Sequence, residues 1–412
     1  AVRAAGGRAL IVGGWVRDAL LGLDSKDLDI EVFGLSADRL KALLDARGRV
    51  ESVGESFQVF KCDGMDVSLP RRDSKAGRGH RGFVVTGDPD MSVAEAAQRR
   101  DFTVNALSWD PLTGDLIDPW GGQADLAARR LRMVDASRFG DDSLRVLRAV
   151  QFAARFEMTL DPETHRVCAA LPLDDLPAER IWGEFEKLLT ARRPSVGLAL
   201  ALDLGIVARL FPELHALVGC PQEPEWHPEG DVWVHTLQVV DQARTRVDDL
   251  DRPRRLAVML GAVCHDFGKP ATTAFSDGRI RSIDHEAKGV APATTFLDRL
   301  LVHTIDGYDV RRQVLGMVAR HLNPGMWFKV KDDVSDGAFR RLAQHVDLEL
   351  PGPRAWCLQH GRDGLVPGTR ASTGCRAPPA RATAAWTPPA SAGRPPGTGD
   401  GCPAPGGLRT AA

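Results

Sequence analysis

Residues 13–34, GGWVRDALLGLDSKDLDIEVFG, hold a spacing suited to phosphate chemistry. A glycine pair precedes an Arg-Asp pair, and two aspartates, Asp27 and Asp29, follow one residue apart. On a strand, side chains at i and i+2 point to the same face about 7 Å apart. Two carboxylates held that way repel each other unless a cation lies between them, and Mg²⁺ takes oxygen ligands of this kind. Such a pair suits nucleotidyl transfer, where two divalent metals clamp a triphosphate, activate the attacking hydroxyl and neutralise the leaving group. Gly13 and Gly14, just ahead of a helix N-terminus, let backbone N–H groups approach phosphates. Arg17, in the first turn of that helix, reaches the same oxygens. Asp66, opening MDVSLP, is the candidate third carboxylate. Singly these signals are weak, since an Asp-x-Asp is more often a solvated strand face and a Gly-Gly more often a turn. Their succession carries the chemistry.

The elements that must position these residues follow from periodicity. RALIV (8–12) reads as a buried strand stopped by Gly13-Gly14, and 15–22 as a short helix ending at Gly22. In LDIEVF (28–33), Leu28, Ile30 and Val32 face one side, while Asp29 and Glu31 face the other with Asp27. A helix is expected over 36–47, and a hairpin over 56–70 turning at Asp63-Gly64. From residue 92 the pattern is helical, opened by the capping-box spacing of Ser92 and Glu95. Arg100, Asp101 and Asn105 fall on one expected helix, with Asp101 and Asn105 as i,i+4 neighbours. After a Gly/Pro-rich connector (110–122), helical stretches are expected over 124–134, 141–157, 162–170, 177–191 and 195–210. A linker at 221–230 leads to a further helical block over 231–349. The fold class is α+β: a small mixed-sheet head, then an all-α neck and body, then another helical module.

Bulk properties exclude several classes. The 412 residues carry a formal net charge of -2, so no global basic field points to nucleic acid, and any such partner is held by local patches. Arg clusters at 129–132, 192–193 and 252–255 are candidates, although most read as solvated faces. Hydrophobic residues make up 43% and charged residues 26%, ordinary for a globular chain. Seven cysteines without C-x-x-C spacing argue against a disulfide framework and a cysteine zinc site, and point to a reducing cytoplasm. No apolar run spans a membrane and no signal peptide is evident, although the missing initial Met suggests that residues precede Ala1. From about Pro351 the chain is rich in Pro, Gly, Ala, Thr and Arg, and is expected to be disordered. This tail also reads like GC-rich DNA translated out of frame, an expectation that resequencing the coding DNA tests.

LIVGGWVRDALLGLDSKDLDIEVFG resembles the signature of the bacterial-type tRNA nucleotidyltransferase / poly(A) polymerase family, a branch of the polymerase-beta-like superfamily. RRDFTVNAL (99–107) resembles the family's ribose- and triphosphate-binding motif, and IDPWGGQADLAARRLR (117–132) its head-to-neck connector. DDSLRVLRAVQFAARF (141–156) resembles the EDxxR motif that reads the incoming base with protein side chains, and AERIWGEFEKLL (178–189) the last neck motif. The resemblance implies metal binding by Asp27 and Asp29, helped by Asp66. It implies nucleotide binding by Gly13, Gly14, Arg17, Arg100, Asp101 and Asn105, and by Asp142, Arg145, Arg148 and Gln151. In that reading Asp142 and Arg145, at i,i+3 on one helix face, present an acceptor and a donor to the edges of both C and A. Asp141 stands where the motif has Glu, and Gln151 where close relatives carry a second Arg. VGESFQVFKCDG lacks the GRRFR-like segment of the poly(A) branch, and the basic segment RRDSKAGRGHRGF (71–83) sits where CCA-adding members have a flexible loop.

His235 and the His265-Asp266 pair, with His285 and His321, resemble the HD metal-dependent phosphohydrolase pattern, and LGAVCHDFGKP (260–270) is its strongest part. Imidazole and carboxylate together suit a divalent metal. The pattern's final Asp is missing, since PRAWCLQHGR stands in its place and Asp347 is a weak substitute. The resemblance therefore implies a catalytic head over 1–137, a base-selecting and tRNA-binding neck over 138–220, an HD-like module over 225–350 and a tail over 351–412. The implied activity is template-independent addition of CCA to tRNA from CTP and ATP, with Mg²⁺ and a candidate second divalent metal in the HD-like module. Poly(A) or A-only addition, and phosphoester hydrolysis as the main activity, are the competing readings.

Overall fold

RALIV forms β1 (Arg8–Val12), and the strand ends where Gly13 turns to φ 75° and ψ -130° ahead of α1 (Gly14–Leu20). The alternating LDIEVF forms β2 (Leu28–Phe33), and Ser36 caps α2 (Ala37–Asp45) with its side chain. β3 (Glu51–Val53) leads to the hairpin of β4 (Val59–Cys62) and β5 (Met65–Ser68). Asp63 and Gly64 both sit at positive φ between those strands, which matches the sheet's twist. β6 (Arg71–Lys75) and β7 (Phe83–Gly87) make a separate hairpin. α3 (Val93–Gln98) begins with both halves of the expected Ser92–Glu95 capping box, and β8 (Ser108–Trp109) and β9 (Leu116–Ile117) follow. The main sheet runs β3–β4–β5–β2–β1–β8–β9. β2 is parallel to β5, with Asp29 opposite Asp66, and antiparallel to β1.

This computed structural model describes residues 1–350 except 26, 54–58, 76–82, 331–333 and 348–349. The tip of the basic 71–83 segment and the tail expected to be disordered lie outside the described residues.

Helices then dominate: α4 (Gly122–Ala127), α5 (Ala136–Phe139) and α6 (Leu144–Phe156), with short β10 (Arg130–Leu131) before α5 and its partner β11 (Thr159–Leu160) after α6. α7 (Pro162–Ala170), α8 (Ala178–Leu189), α9 (Pro194–Asp203), α10 (Ile206–Leu210) and α11 (Pro212–His215) complete the middle of the chain. α12 (Val232–Arg244), α13 (Arg252–Cys264) and α14 (Lys269–Thr272) precede a hairpin of β12 (Thr273–Ser276) and β13 (Arg279–Ser282), then α15 (His285–Arg299) and α16 (Val310–Val318). Among the described residues no helix is long and apolar enough to cross a membrane.

Three expected helices differ. RRDFTVNAL is not helical throughout: α3 stops at Gln98, Phe102 is extended, and only Thr103–Asn105 closes a short 3-10 turn. The cause is burial of Phe102, whose ring packs edge-on against Phe139 and Phe152 at 5.6 and 5.8 Å. Its neighbours bond across to another segment, Thr103 N–H to Arg132 O and Val134 N–H to Asp101 O. The 124–134 helix stops at Ala127, because Leu131 is fully buried on β10. The 195–210 helix splits at Gly205, which sits at φ 69°.

One continuous apolar core runs from Ile11 on β1 through Phe102 and Phe152 to Phe185, Phe296 and Val346. The sheet and the helices therefore share packing rather than meeting at a polar seam. A smaller core of Val32, Leu40, Phe60 and Val67 lies under α2.

Candidate active site

A cleft of about 820 Å³ is lined by α1, the start of β2, the 100–105 turn, one face of α6 and the first turn of α8. The α6 face is dictated by spacing. Arg145, Arg148, Phe152 and Arg155 recur at i, i+3, i+7 and i+10, and all four line the cleft. The opposite face, including Val146, Ala149, Val150 and Ala153, is buried in the core.

Asp27 and Asp29 both line the cleft and are exposed to it. Desolvation pushes the Asp29 carboxyl above its ordinary value; Arg100 opposes this, while Asp66, Asp27 and Glu31 add to it. A cation bound there relieves that repulsion, so the donor set fits a divalent metal. Asp66 is held opposite Asp29 by strand register, but it is not among the cleft-lining residues, and Lys61 Nζ donates to it at 3.0 Å. Glu31, expected on the polar face, is buried there beneath Arg99, whose Nη2 donates to it at 2.8 Å.

Gly13 is required by what stands above it. A Cβ on Gly13 would lie 2.5 Å from Nη1 of Arg100, so the glycine makes room for that guanidinium. Burial lowers the Arg100 pKa. Arg17 is 4% exposed and lies 4.6 Å from the Phe156 ring centre. Its Nε donates to Asp18 at 2.8 Å and its Nη1 to Asn105 Oδ1 at 2.5 Å. Asn105 Nδ2 in turn donates to Asp101 Oδ1 at 2.8 Å, and Arg148 Nε to Asp101 Oδ2 at 2.7 Å. The expected Asp101–Asn105 contact is thus present without the expected helix. Burial alone would raise the Asp101 pKa, but Arg148 and Asn105 hold it below the usual carboxylate range. Gln151 is buried at the cleft wall.

The expected Asp142–Arg145 helix face is corrected. Asp142 precedes α6, whose N-cap is Ser143. Its Oδ1 accepts from Leu144 N–H and from Arg180 Nη1 at 3.1 and 3.0 Å, and its Oδ2 accepts from Arg180 Nη2 at 2.7 Å. Arg145 instead donates to the carbonyls of Arg138 and Arg99 at 2.8 and 2.5 Å. Sequence reasoning missed Arg180 and Arg155. Arg155 was findable as one helical repeat beyond Arg148, whereas nothing local marks Arg180 as the partner of a residue 38 positions earlier. Of the Arg clusters, Arg130 and Arg132 close on buried Asp125, and Arg252 bonds Glu186 and Asp306.

A second cavity, of about 500 Å³, is lined by His227, His235, Asp266, His285 and His321. His235 lies on α12, His265 and Asp266 just after α13, His285 at the start of α15, and His321 after α16. Ligand atoms of His235, His265 and Asp266 fall within 4.8 Å of one another, as do those of Asp266, His285 and His321. Asp266 is thus common to both groups. It is 1% exposed, and neither of its oxygens nor His265 Nε2 makes a hydrogen bond of good geometry. Lys269 Nζ lies 2.8 Å from Oδ2. Burial would raise the Asp266 pKa, but His265 and Lys269 hold it well below the ordinary value. Glu229 accepts from His235 Nδ1 at 2.7 Å and orients that ring. Asp347, the expected weak substitute for the final Asp, is not in this cluster; it accepts from Tyr308 and Arg254 at 2.9 and 3.3 Å. His285 and His321, already expected in this pattern, form the second grouping with Asp266.

A family model described as Poly A polymerase head domain matches residues 9–132, and one described as Probable RNA and SrmB- binding site of polymerase A matches 157–218. The Multifunctional CCA protein of Xanthomonas campestris pv. campestris (strain B100) is 38% identical over 322 residues, covering 76% of this chain and 74% of its own. That of Stenotrophomonas maltophilia (strain R551-3) is 40% identical over 305 residues, 71% of each chain. A solved CCA-adding enzyme with CTP matches at TM-score 0.54 and 19% identity, over 87% of this chain and 75% of that one. The Thermotoga maritima CCA-adding enzyme complexed with tRNA matches at TM-score 0.53 and 20% identity, over 86% and 75%. These two structures support the fold.

Proposed function

The chain belongs to the family of multifunctional CCA proteins, and from that premise we propose that it adds CCA to the 3′ end of tRNA, without a template, from CTP and ATP. The observation that carries the reading is that one cleft is lined both by the Asp27–Asp29 pair and by Asp142 and Arg145. Transfer chemistry and base selection therefore fit around a single nucleotide.

Asp27 and Asp29 would hold Mg²⁺, with Asp66 as the third carboxylate. When bound, the metal neutralises triphosphate charge and lowers the pKa of the attacking 3′-hydroxyl. Arg100 and the backbone N–H groups after Gly13 orient the phosphates, and Arg148 contributes by exchanging part of its pairing with Asp101. Asn105 meets the sugar. Arg17, tied to Asp18 and Asn105, positions that wall and faces the phosphates. Cytosine and adenine both present an exocyclic amine, which Asp142 accepts, beside a ring nitrogen, to which Arg145 donates. The chain divides accordingly into a transfer head over 1–137, a base-selecting and tRNA-gripping neck over 138–220, and a histidine-rich module over 225–350. RNA is gripped there by shape and backbone. The cytoplasm remains the proposed compartment, in keeping with free Cys62, Cys168, Cys220 and Cys264.

tRNA substrates lacking CCA, CC or A, incubated with CTP and ATP separately and together, test this. Completion to CCA is expected, and a long A tail on unrelated RNA replaces this reading with poly(A) addition.

A second activity, divalent-metal-dependent phosphoester hydrolysis, is favoured by the buried Asp266 oxygens between two histidine groups. Metal-dependent release of phosphate from a phosphomonoester, lost in Asp266→Asn, is the expected result.

A further inference from the structure

We infer that Arg180 is the residue that sets nucleotide specificity, by locking Asp142 as an ionised, fixed acceptor. This rests on the proposed CCA addition. Cytosine and adenine offer an amine at the position where uracil and guanine offer a carbonyl oxygen. An acceptor that can only accept admits the first two and repels the others. A carboxylate behaves so only while it stays ionised and cannot rotate or pick up a proton.

Arg180 supplies both conditions. Its guanidinium meets both Asp142 oxygens, Nη1 to Oδ1 at 3.0 Å and Nη2 to Oδ2 at 2.7 Å, a two-pronged pair that fixes the carboxylate plane. Leu144 N–H holds Oδ1 from the other side at 3.1 Å. The paired side chains are only 24% and 29% exposed, and both residues line the cleft. Burial would raise the Asp142 pKa, yet Arg180 keeps it lowered. Arg180 also prevents an otherwise ready collapse. Asp142 and Arg145 are three residues apart and would pair with each other, cancelling acceptor and donor. With Asp142 held by Arg180 and Arg145 anchored on the carbonyls of Arg99 and Arg138, the two stay separate. Arg180 lies in the first turn of α8, whereas Asp142 lies just ahead of the Ser143 N-cap of α6, so the packing of α8 on α6 is part of base selection. Arg180 acts through Asp142 and is a positioning residue.

The test is steady-state transfer of each of the four nucleotides to tRNA lacking CCA, by wild type, Arg180→Ala and Arg180→Lys. Arg180→Ala is expected to narrow the preference for CTP over UTP, and for ATP over GTP, by about tenfold, the worth of one well-oriented base contact. Most of that change should appear in KM. Arg180→Lys keeps the charge but not the fork, so its narrowing should be intermediate. It decides the matter if the alanine variant does not fold. Equal loss for all four nucleotides, or unchanged ratios, overturns the inference. If wild type transfers neither C nor A, the underlying function fails instead. In that case the ratio of CTP to UTP dissociation constants, measured without tRNA, still tests Arg180, and an unchanged ratio overturns its role.

Discussion

The nucleotide cleft and the histidine cavity solve the problem of buried charge in opposite ways. In the cleft, Arg17, Asp101 and Arg148 are linked through Asn105 in a chain from Asp18 to Arg148, and Asp142 is paired separately with Arg180. At the Asp27–Asp29 edge, among the described residues, neighbouring carboxylates add to the raised Asp29 pKa and Arg100 opposes them. In the histidine cavity, two Asp266 oxygens and His265 Nε2 are buried without good hydrogen bonds. The cleft is thus a frame whose charges are already paired, and the cavity is a set of candidate ligand atoms in which Lys269 alone stands as a close cation to Asp266 among the described residues. This distinguishes two kinds of metal dependence. On the proposed function, metal at the cleft would serve the reaction, and metal at the cavity would serve stability as well.

The largest effect expected is on transfer. Asp29→Ala should reduce CCA addition at least a thousandfold, since on the proposed function no other group replaces the carboxylate that would hold the metals. Its effect on stability should have the opposite sign. Because the Asp29 pKa is raised in the folded chain, that chain binds a proton more tightly than the unfolded one. Ionised Asp29 therefore detracts from stability above the raised pKa, and the penalty fades as pH falls through it. Metal-free melting of Asp29→Ala at neutral pH should be unchanged or higher than wild type, with the difference shrinking in acid. A clear drop in melting temperature would break the comparison, by showing that this edge too is structurally completed.

Next is metal-induced stabilisation. A divalent cation at a hundred times its dissociation constant should stabilise the wild-type chain by about 2.7 kcal/mol if it binds the native state alone. Asp266→Asn should abolish most of that shift while leaving incorporation of C and A intact, as thermal melting and the tRNA extension assay will show. Retention of the shift in Asp266→Asn, with its loss in Asp29→Ala, would reverse the assignment of roles to the two regions.

How far the sequence foretold these regions follows from how local each is. The Asp27–Asp29 strand, the Asp63-Gly64 turn and the Ser92–Glu95 cap depend on residues a few positions apart, and all stand as expected. His265-Asp266 likewise marks the end of α13. The break of the 195–210 helix at Gly205 is local, but the misses that shape the site depend on distant partners. Phe102 pulls RRDFTVNAL out of helix because its ring belongs between Phe139 and Phe152. Glu31 is buried because Arg99, 68 residues away, covers it. Asp142 pairs with Arg180 rather than Arg145 because α8 delivers a two-pronged donor, which i,i+3 spacing cannot foresee. Periodicity records which face is buried, but not which charge comes to meet it.

The pre-paired character of the cleft is tested by Asp101→Ala. Asp101 is buried and takes bonds from Arg148, Asn105 and the Phe102 N–H. Its removal leaves a mostly covered guanidinium and an amide without their acceptor, at a cost of about 3 kcal/mol. Urea unfolding at neutral pH measures this. A loss below about 1 kcal/mol would mean that solvent satisfies Arg148, and the frame would be looser than its hydrogen bonds indicate.

The smallest effect, and the sharpest on geometry, is expected at Gly13. Its φ of 75° disfavours any side chain, and a Cβ there would meet Arg100 Nη1 at 2.5 Å. Backbone strain of this kind costs about 1–3 kcal/mol, and the guanidinium tip can swing aside. Gly13→Ala should therefore fold with modestly lower stability. Displacing Arg100 moves the cation proposed to hold phosphate away from the Asp27–Asp29 edge, so KM for CTP and ATP should rise together while the ratio between them holds. This separates Gly13 from Arg180, whose loss alters the ratio among nucleotides. Gly13 and Arg180 bear on the two jobs of one cleft, holding phosphate and reading base. A Gly13→Ala variant that discriminated less between CTP and UTP would show that the two jobs share one adjustment. Metal binding at the histidine cavity, read by the same thermal shift, should not respond to Gly13→Ala at all.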